Sequence, residues 1–159
     1  MSNPENSEML VVKSTRFGDF EVPKDSVLTF PSGLIGFPRS KSFVILEHKQ
    51  PFSWLHSVED PNLAFVVIDG AEFGPIFDGK IPFGDRDTEL QADDDYAILI
   101  VVTARPDPLQ TTANLKAPLF VNVRNKKGVQ IIFDDARLST RHQLWERKED
   151  VPGGEDEKK

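Results

Sequence analysis

The residues with the most chemistry to offer are three histidines, His48, His56 and His142, set among 26 acidic side chains in a chain without cysteine. No two of these histidines stand at metal-ligand spacing, so a zinc or iron site would have to be assembled with acids from distant segments. The absence of cysteine excludes thiol nucleophiles, thiolate-bound zinc, iron–sulfur clusters and disulfides, and is compatible with a reducing cytosol. Ser139-Thr140-Arg141-His142 brings a hydroxyl, a guanidinium and an imidazole together, a set suited to acid–base or anion-binding work. The same four residues also read as a polar strand end whose side chains bond the backbone. Glu59-Asp60 has the look of a carboxylate pair, but adjacent residues on a strand point to opposite faces, and Pro61 follows at once. Asp60 reads better as a turn stabiliser. Neither a glycine-rich phosphate loop nor a nucleophile elbow is present. The sequence therefore calls for no catalytic residue, no cofactor and no metal.

Charge is the second signal. The 159 residues carry 19 basic and 26 acidic side chains, a net charge of −7. The whole excess falls between Asp69 and Asp95, where Asp69, Glu72, Asp78, Asp85, Asp87, Glu89, Asp93, Asp94 and Asp95 face only Lys80 and Arg86. Such a segment repels RNA and steers a basic protein toward itself. It also fits a loop that is acidic because it is solvated. Direct nucleic-acid binding, the habit of many small barrels, needs a basic groove with exposed aromatic rings. The bases are scattered, with adjacent pairs at Lys126-Lys127 and Arg147-Lys148, and most of the 12 Phe residues lie inside apolar runs, where core packing explains them.

These groups must be positioned by short strands. Segments rich in Val, Ile, Leu and Phe, separated by Gly, Pro, Asn and Asp, predict strands at residues 9–13, 20–22, 27–30, 43–47, 52–57, 63–68, 97–103, 119–123 and 129–133. Ten of the 12 prolines break the windows in which a long helix could form. Gly18-Asp19 predicts a two-residue turn between Phe17 and Phe20, and the loop ending in Gly128 predicts a hairpin closed by a left-handed glycine. Leu63–Ile68 and Ile98–Val102 are continuously apolar, which predicts burial on both faces of a sheet that curls on itself. The only helical expectations are one turn at Asp87–Gln91 and a short amphipathic stretch at Gln143–Glu149 carrying Leu144 and Trp145.

The fold expected is all-β, a small closed or highly curved antiparallel barrel with at most short helical turns. Its expected boundaries are a flexible N-terminus at residues 1–8, one domain at 9–145, and a charged, disordered tail at 146–159, where ten of fourteen residues are charged. The acidic N-terminus does not read as a secretory signal, and the longest apolar runs, about six residues, fall far short of the ~20 needed to span a bilayer. A cytoplasmic protein without membrane contact is expected.

Four segments, in order, resemble the bacterial flagellar assembly factor FliW family. They are Phe17-Gly18 through Thr29-Phe30-Pro31-Ser32-Gly33-Leu34-Ile35-Gly36-Phe37; Trp54-Leu55-His56-Ser57-Val58-Glu59-Asp60-Pro61-Asn62-Leu63-Ala64-Phe65-Val66-Val67; Thr112-Ala113-Asn114-Leu115-Lys116-Ala117-Pro118-Leu119-Phe120-Val121-Asn122; and Gly128-Val129-Gln130-Ile131-Ile132 through Ser139-Thr140-Arg141-His142. The resemblance implies a compact barrel-like domain that binds two partners, flagellin and the RNA-binding translational regulator CsrA. It implies a partner switch without covalent chemistry: CsrA is sequestered when flagellin is scarce, which relieves repression of flagellin mRNA, and is released when flagellin accumulates. Within the matched motifs Gly33 and Gly36 are expected in turns, and Phe30, Phe37, Phe65 and Val66 in the core. Trp54, Ser57, Glu59, Asn114, Thr140, Arg141 and His142 are the expected partner contacts, or else buried hydrogen-bond supports. The rival readings are a single-strand RNA-binding barrel and a hydrolase-type enzyme using the Arg141-His142 region with Glu59, which would require a deep pocket joining those residues.

Overall fold

The structure, a computed structural model, describes residues 8–152, and among these it has eleven strands and four 3-10 turns. The expectations for residues 1–7 and 153–159 lie outside the described residues. The strands are β1 (Met9–Val12), β2 (Phe20–Pro23), β3 (Leu28–Thr29), β4 (Ser42–Glu47), β5 (Phe52–Ser57), β6 (Ala64–Asp69), β7 (Tyr96–Thr103), β8 (Thr112–Ala113), β9 (Leu119–Asn122), β10 (Lys127–Gln130) and β11 (His142–Gln143). Among the described residues no helix is long and apolar enough to cross a membrane.

Seven of these strands close a ring in the order β3-β4-β5-β6-β7-β9-β10, and β10 returns to β3. Six of the ring's seven pairings are antiparallel, and the seventh, Lys127 opposite Thr29, is parallel. An odd ring cannot alternate direction all the way round, so one parallel pair is a geometric necessity. Closure runs through β7, whose first half pairs with β9 (Tyr96 to Leu99) and whose end pairs with β8 (Val102 and Thr103). The small sheet β8–β11 therefore projects from the barrel wall.

Because side chains alternate along a strand, β6 and β7 feed two cores. Val67 packs inside the ring with Phe30, Leu34, Phe43, Leu55, Leu119 and Val121. Ile68, Ile100 and Val102 point outward and are covered by Phe77, Leu115 and Leu138 from the long connections. The continuous apolar runs thus serve both faces, as expected. Of the expected core residues Phe30 is fully buried, whereas Phe37 is 40% exposed and lies edge-on to the partly buried Phe65.

The two hairpins differ from expectation in an instructive way. β1 and β2 pair through Val12 and Phe20, so the connection is the loop 13–19 and not a Gly18-Asp19 turn. β9 and β10 do pair antiparallel, but the left-handed residue of their turn is Lys126 (φ 62°). Gly128 lies within β10 for a different reason: a Cβ there would come within 2.8 Å of the Phe30 ring. The Gln143–Glu149 stretch is not helical; it contributes Gln143 to β11, and a 3-10 turn follows at Lys148–Asp150.

Candidate functional site

The acidic segment runs from the last residue of β6 through the connection to β7, and the structure divides its nine carboxylates into two groups. Five are engaged within the fold. Asp69 accepts from the Ala71 amide at 2.9 Å, Asp85 from the Thr88 amide at 3.0 Å, and Asp87 from the Ser32 hydroxyl at 2.5 Å. Glu89 pairs with Lys127 at 2.8 Å. Asp94 receives Arg124 Nε at 3.1 Å and Nη2 at 3.2 Å, together with the Gln91 amide at 2.9 Å. The Arg124 and Gln91 hydrogen bonds favour the charged carboxylate and hold Asp94 below its ordinary range, and Lys127 does the same for Glu89.

Glu72, Asp78, Asp93 and Asp95 are the other group. All four are exposed and make no side-chain hydrogen bond or ion pair among the described residues. Of the nine, Glu89 and Asp94 are the two that a cation neutralises; Asp69, Asp85 and Asp87 accept from neutral donors and keep their charge, and Glu72, Asp78, Asp93 and Asp95 present theirs to solvent without a side-chain partner.

The turn after β9 anchors this segment. Asn122, fully buried, donates to the Thr88 carbonyl at 3.0 Å and accepts the Arg124 amide at 3.0 Å. Asn125 donates to the same Thr88 carbonyl at 3.0 Å. In sequence this loop reads as a solvated turn; nothing local reveals that its Asn and Arg side chains reach back some thirty residues.

The expected contact residues do not gather at one place. Trp54, on the outer face of β5, is overlaid by Arg16 at 4.7 Å and flanked by Phe17 at 5.5 Å and His48 at 5.0 Å. Ser57 is wholly buried and accepts the Asp60 amide at 2.9 Å, while Glu59 accepts the Ser42 amide at 3.1 Å. Both therefore support the β5–β6 corner. Asn114 accepts the Lys116 amide at 3.1 Å and, with Thr140, lines a cleft of about 300 Å³ that opens beside Phe65 and Val101. Arg141 is exposed, and its amide donates to the Ser139 hydroxyl at 2.9 Å.

His142 sits elsewhere, on β11, 5.6 Å from the Phe73 ring. It lines a second cleft, of about 660 Å³, which includes neither Glu59 nor Arg141. The pocket required by the hydrolase reading is not formed there. Among the described residues no group of three or more His, Asp or Glu is placed to hold a metal ion. Phe73 and Trp145 border the same cleft; Trp145 reads in sequence only as one apolar position in an amphipathic stretch.

The comparisons with known proteins agree with this architecture. The family described as FliW protein matches residues 11–144. The flagellar assembly factor FliW of Caldicellulosiruptor bescii is 39% identical over 138 residues, covering 86% of this chain and 91% of that one. Its counterpart in Syntrophus aciditrophicus is 32% identical over 149 residues, covering 90% and 92%. A crystal structure of the flagellar assembly factor FliW superposes with a TM-score of 0.76 at 30% identity, covering 87% of this chain and 99% of the other. A barrel of this topology, matched along nearly all of its described length, shows that the chain belongs to the FliW family of flagellar assembly factors.

Proposed function

We propose that the chain works in flagellar assembly as a non-enzymatic binding protein of the cytoplasm. It sequesters CsrA, relieving repression of flagellin mRNA, and surrenders CsrA when flagellin occupies it. The observation that carries this reading is the acidic segment Asp69–Asp95 on an otherwise charge-balanced chain, with Glu72, Asp78, Asp93 and Asp95 exposed and without a side-chain partner among the described residues. An RNA-binding regulator must be basic to hold phosphates, so this surface attracts the protein and repels its RNA. Flagellin then acts by linkage: binding that excludes CsrA, or that favours a state with lower affinity for it, shifts the equilibrium by its differential affinity.

Size-exclusion chromatography of the purified chain with CsrA, followed by added flagellin, tests the switch. Co-elution with CsrA that survives RNase and is lost on adding flagellin supports it. Co-elution that RNase abolishes supports the RNA-binding barrel instead, and failure to bind either protein overturns the proposal.

A further inference from the structure

Trp145 separates two clefts of different charge. The smaller, about 190 Å³, is bordered by Lys49 and Arg105. The larger, about 660 Å³, has an aliphatic floor that includes Ile68 and Leu144, with Phe73 and Trp145 as aromatic walls. Both aromatic walls are fixed by ring contacts, Phe73 by His142 at 5.6 Å and Trp145 by Phe52 at 5.8 Å. The acidic and basic side chains on its lining, His142 aside, are two carboxylates, Glu72 and Asp150.

These two carboxylates differ in availability. Asp150 has Arg147 at 3.3 Å in an exposed pair one turn away, the kind of contact that contributes little and exchanges readily. Glu72 has no side-chain partner among the described residues. A purely apolar occupant would strip water from Glu72 without replacing it, and an anion would be repelled. A long cationic side chain satisfies every wall at once. Its methylene stem lies on the aliphatic floor, and its charge sits beside aromatic rings and within reach of the carboxylates.

We infer that this cleft is the anchoring pocket for a lysine or arginine side chain of a basic protein partner. The inference rests on the reading that the partner is basic, and it adds the place where that partner is held after electrostatic encounter. Arginine and tryptophan side chains are among the residues that contribute most to binding at interfaces.

The chain has two tryptophans, and the second, Trp54, sits under Arg16, away from the cleft. Full-length protein labelled with 5-fluorotryptophan therefore offers one reporting and one control resonance, assigned with Trp145→Phe. Titration with n-butylammonium or n-butylguanidinium should shift the Trp145 signal saturably and leave Trp54 in place. Neutral n-butanol and anionic butyrate should act more weakly, and Glu72→Gln should raise the half-saturating cation concentration about two- to fivefold. No response, a response equal to that of n-butanol, or parallel movement of Trp54 overturns the pocket. The partner arm is separate: Trp145→Ala should weaken the CsrA complex, and an unchanged affinity overturns the anchoring role. If CsrA binds but the cations leave Trp145 unmoved, the pocket fails and the function stands. If the cations bind but CsrA does not, the function fails and the pocket stands.

Discussion

The Ser14 hydroxyl lies 2.9 Å from His56 Nε2, joining the loop of the β1–β2 hairpin to the barrel wall. His56 is 1% exposed, and its Nδ1 is 2.7 Å from the Ser57 carbonyl, which can only accept. Nδ1 therefore carries the proton in the neutral ring, Nε2 accepts from Ser14, and the Ser14 oxygen in turn accepts the Phe17 amide at 2.9 Å. One imidazole and one hydroxyl thus make three hydrogen bonds that tie the hairpin loop to the barrel wall, while Phe20 packs on the ring at 5.8 Å. A histidine that reads as chemistry is a structural fastener.

Ser14→Ala should accordingly leave His56 Nε2 and the Phe17 amide without partners. Loss of a buried hydrogen-bond partner costs about 1–3 kcal/mol, so the urea midpoint should fall with the slope unchanged. An unaltered midpoint would show that the hairpin is held by its apolar contacts alone.

Gly128→Ala should destabilise by about 1–3 kcal/mol through overpacking, since the added methyl meets the ring of Phe30, which is fully buried edge-on against Phe43 at 5.7 Å. The φ of Gly128 is not in the left-handed region, so the cost would report the close approach and not backbone strain. Thermal denaturation of the variant, compared with the wild type at matched pH, measures it.

Asp135 links two connections, bonding Arg137 through Nε at 3.1 Å and Nη2 at 2.9 Å and receiving Lys80 at 2.9 Å. Hydrogen bonds from the Arg137 side chain and backbone, then from Lys80, hold its carboxyl far below the ordinary carboxylate range. A depressed folded-state pKa gives stability that is present above the unfolded value, about 3.9, and is lost as pH falls toward the folded one. Asp135→Asn should therefore lower the urea midpoint at pH 7, and the gap to wild type should narrow below about pH 4. A gap independent of pH would rule out the carboxylate as its source.

Arg124→Ala should free the acidic connection from the barrel, because Arg124 bonds both Asp94 and, at 3.2 Å, the Glu89 carbonyl. Faster amide hydrogen exchange is expected at Gln91, whose N–H is held by Asp94, with little change at β5. Equal exchange in both proteins would show that Asn122 and Asn125 suffice as anchors.

Neutralising Glu72, Asp78, Asp93 and Asp95 to their amides should slow association with CsrA severalfold at low salt and flatten its salt dependence, with a smaller change in dissociation. Asp94 is left intact because its charge holds the loop together. Stopped-flow mixing across a salt series reads both rates, and an unchanged association rate would remove the steering role.

Much of this was legible from the sequence because it depends on local signals. Proline placement and short apolar runs determined an all-β chain, and each of the nine predicted strand regions overlaps a strand, although 129–133 shares only Val129 and Gln130 with β10. Uninterrupted apolarity marked β6 and β7 as buried on both faces, and the charge run located the acidic connection. The two-residue strands β8 and β11 carried no such signal, since a pair of residues has no periodicity. Their formation depends on partners far along the chain, Val102 and Thr103 for β8 and then Ala113 and Thr112 for β11.

Tertiary structure alone decided which polar groups are free. Glycine and acid identities in the sequence do not reveal that Gly128 makes room for Phe30, or that Lys127 and Arg124 neutralise Glu89 and Asp94 from some thirty residues away. The net charge belongs to the composition. Its usable part, four carboxylates in solvent and a cleft beside Trp145, exists only once ring closure has brought distant side chains within hydrogen-bonding distance of the rest.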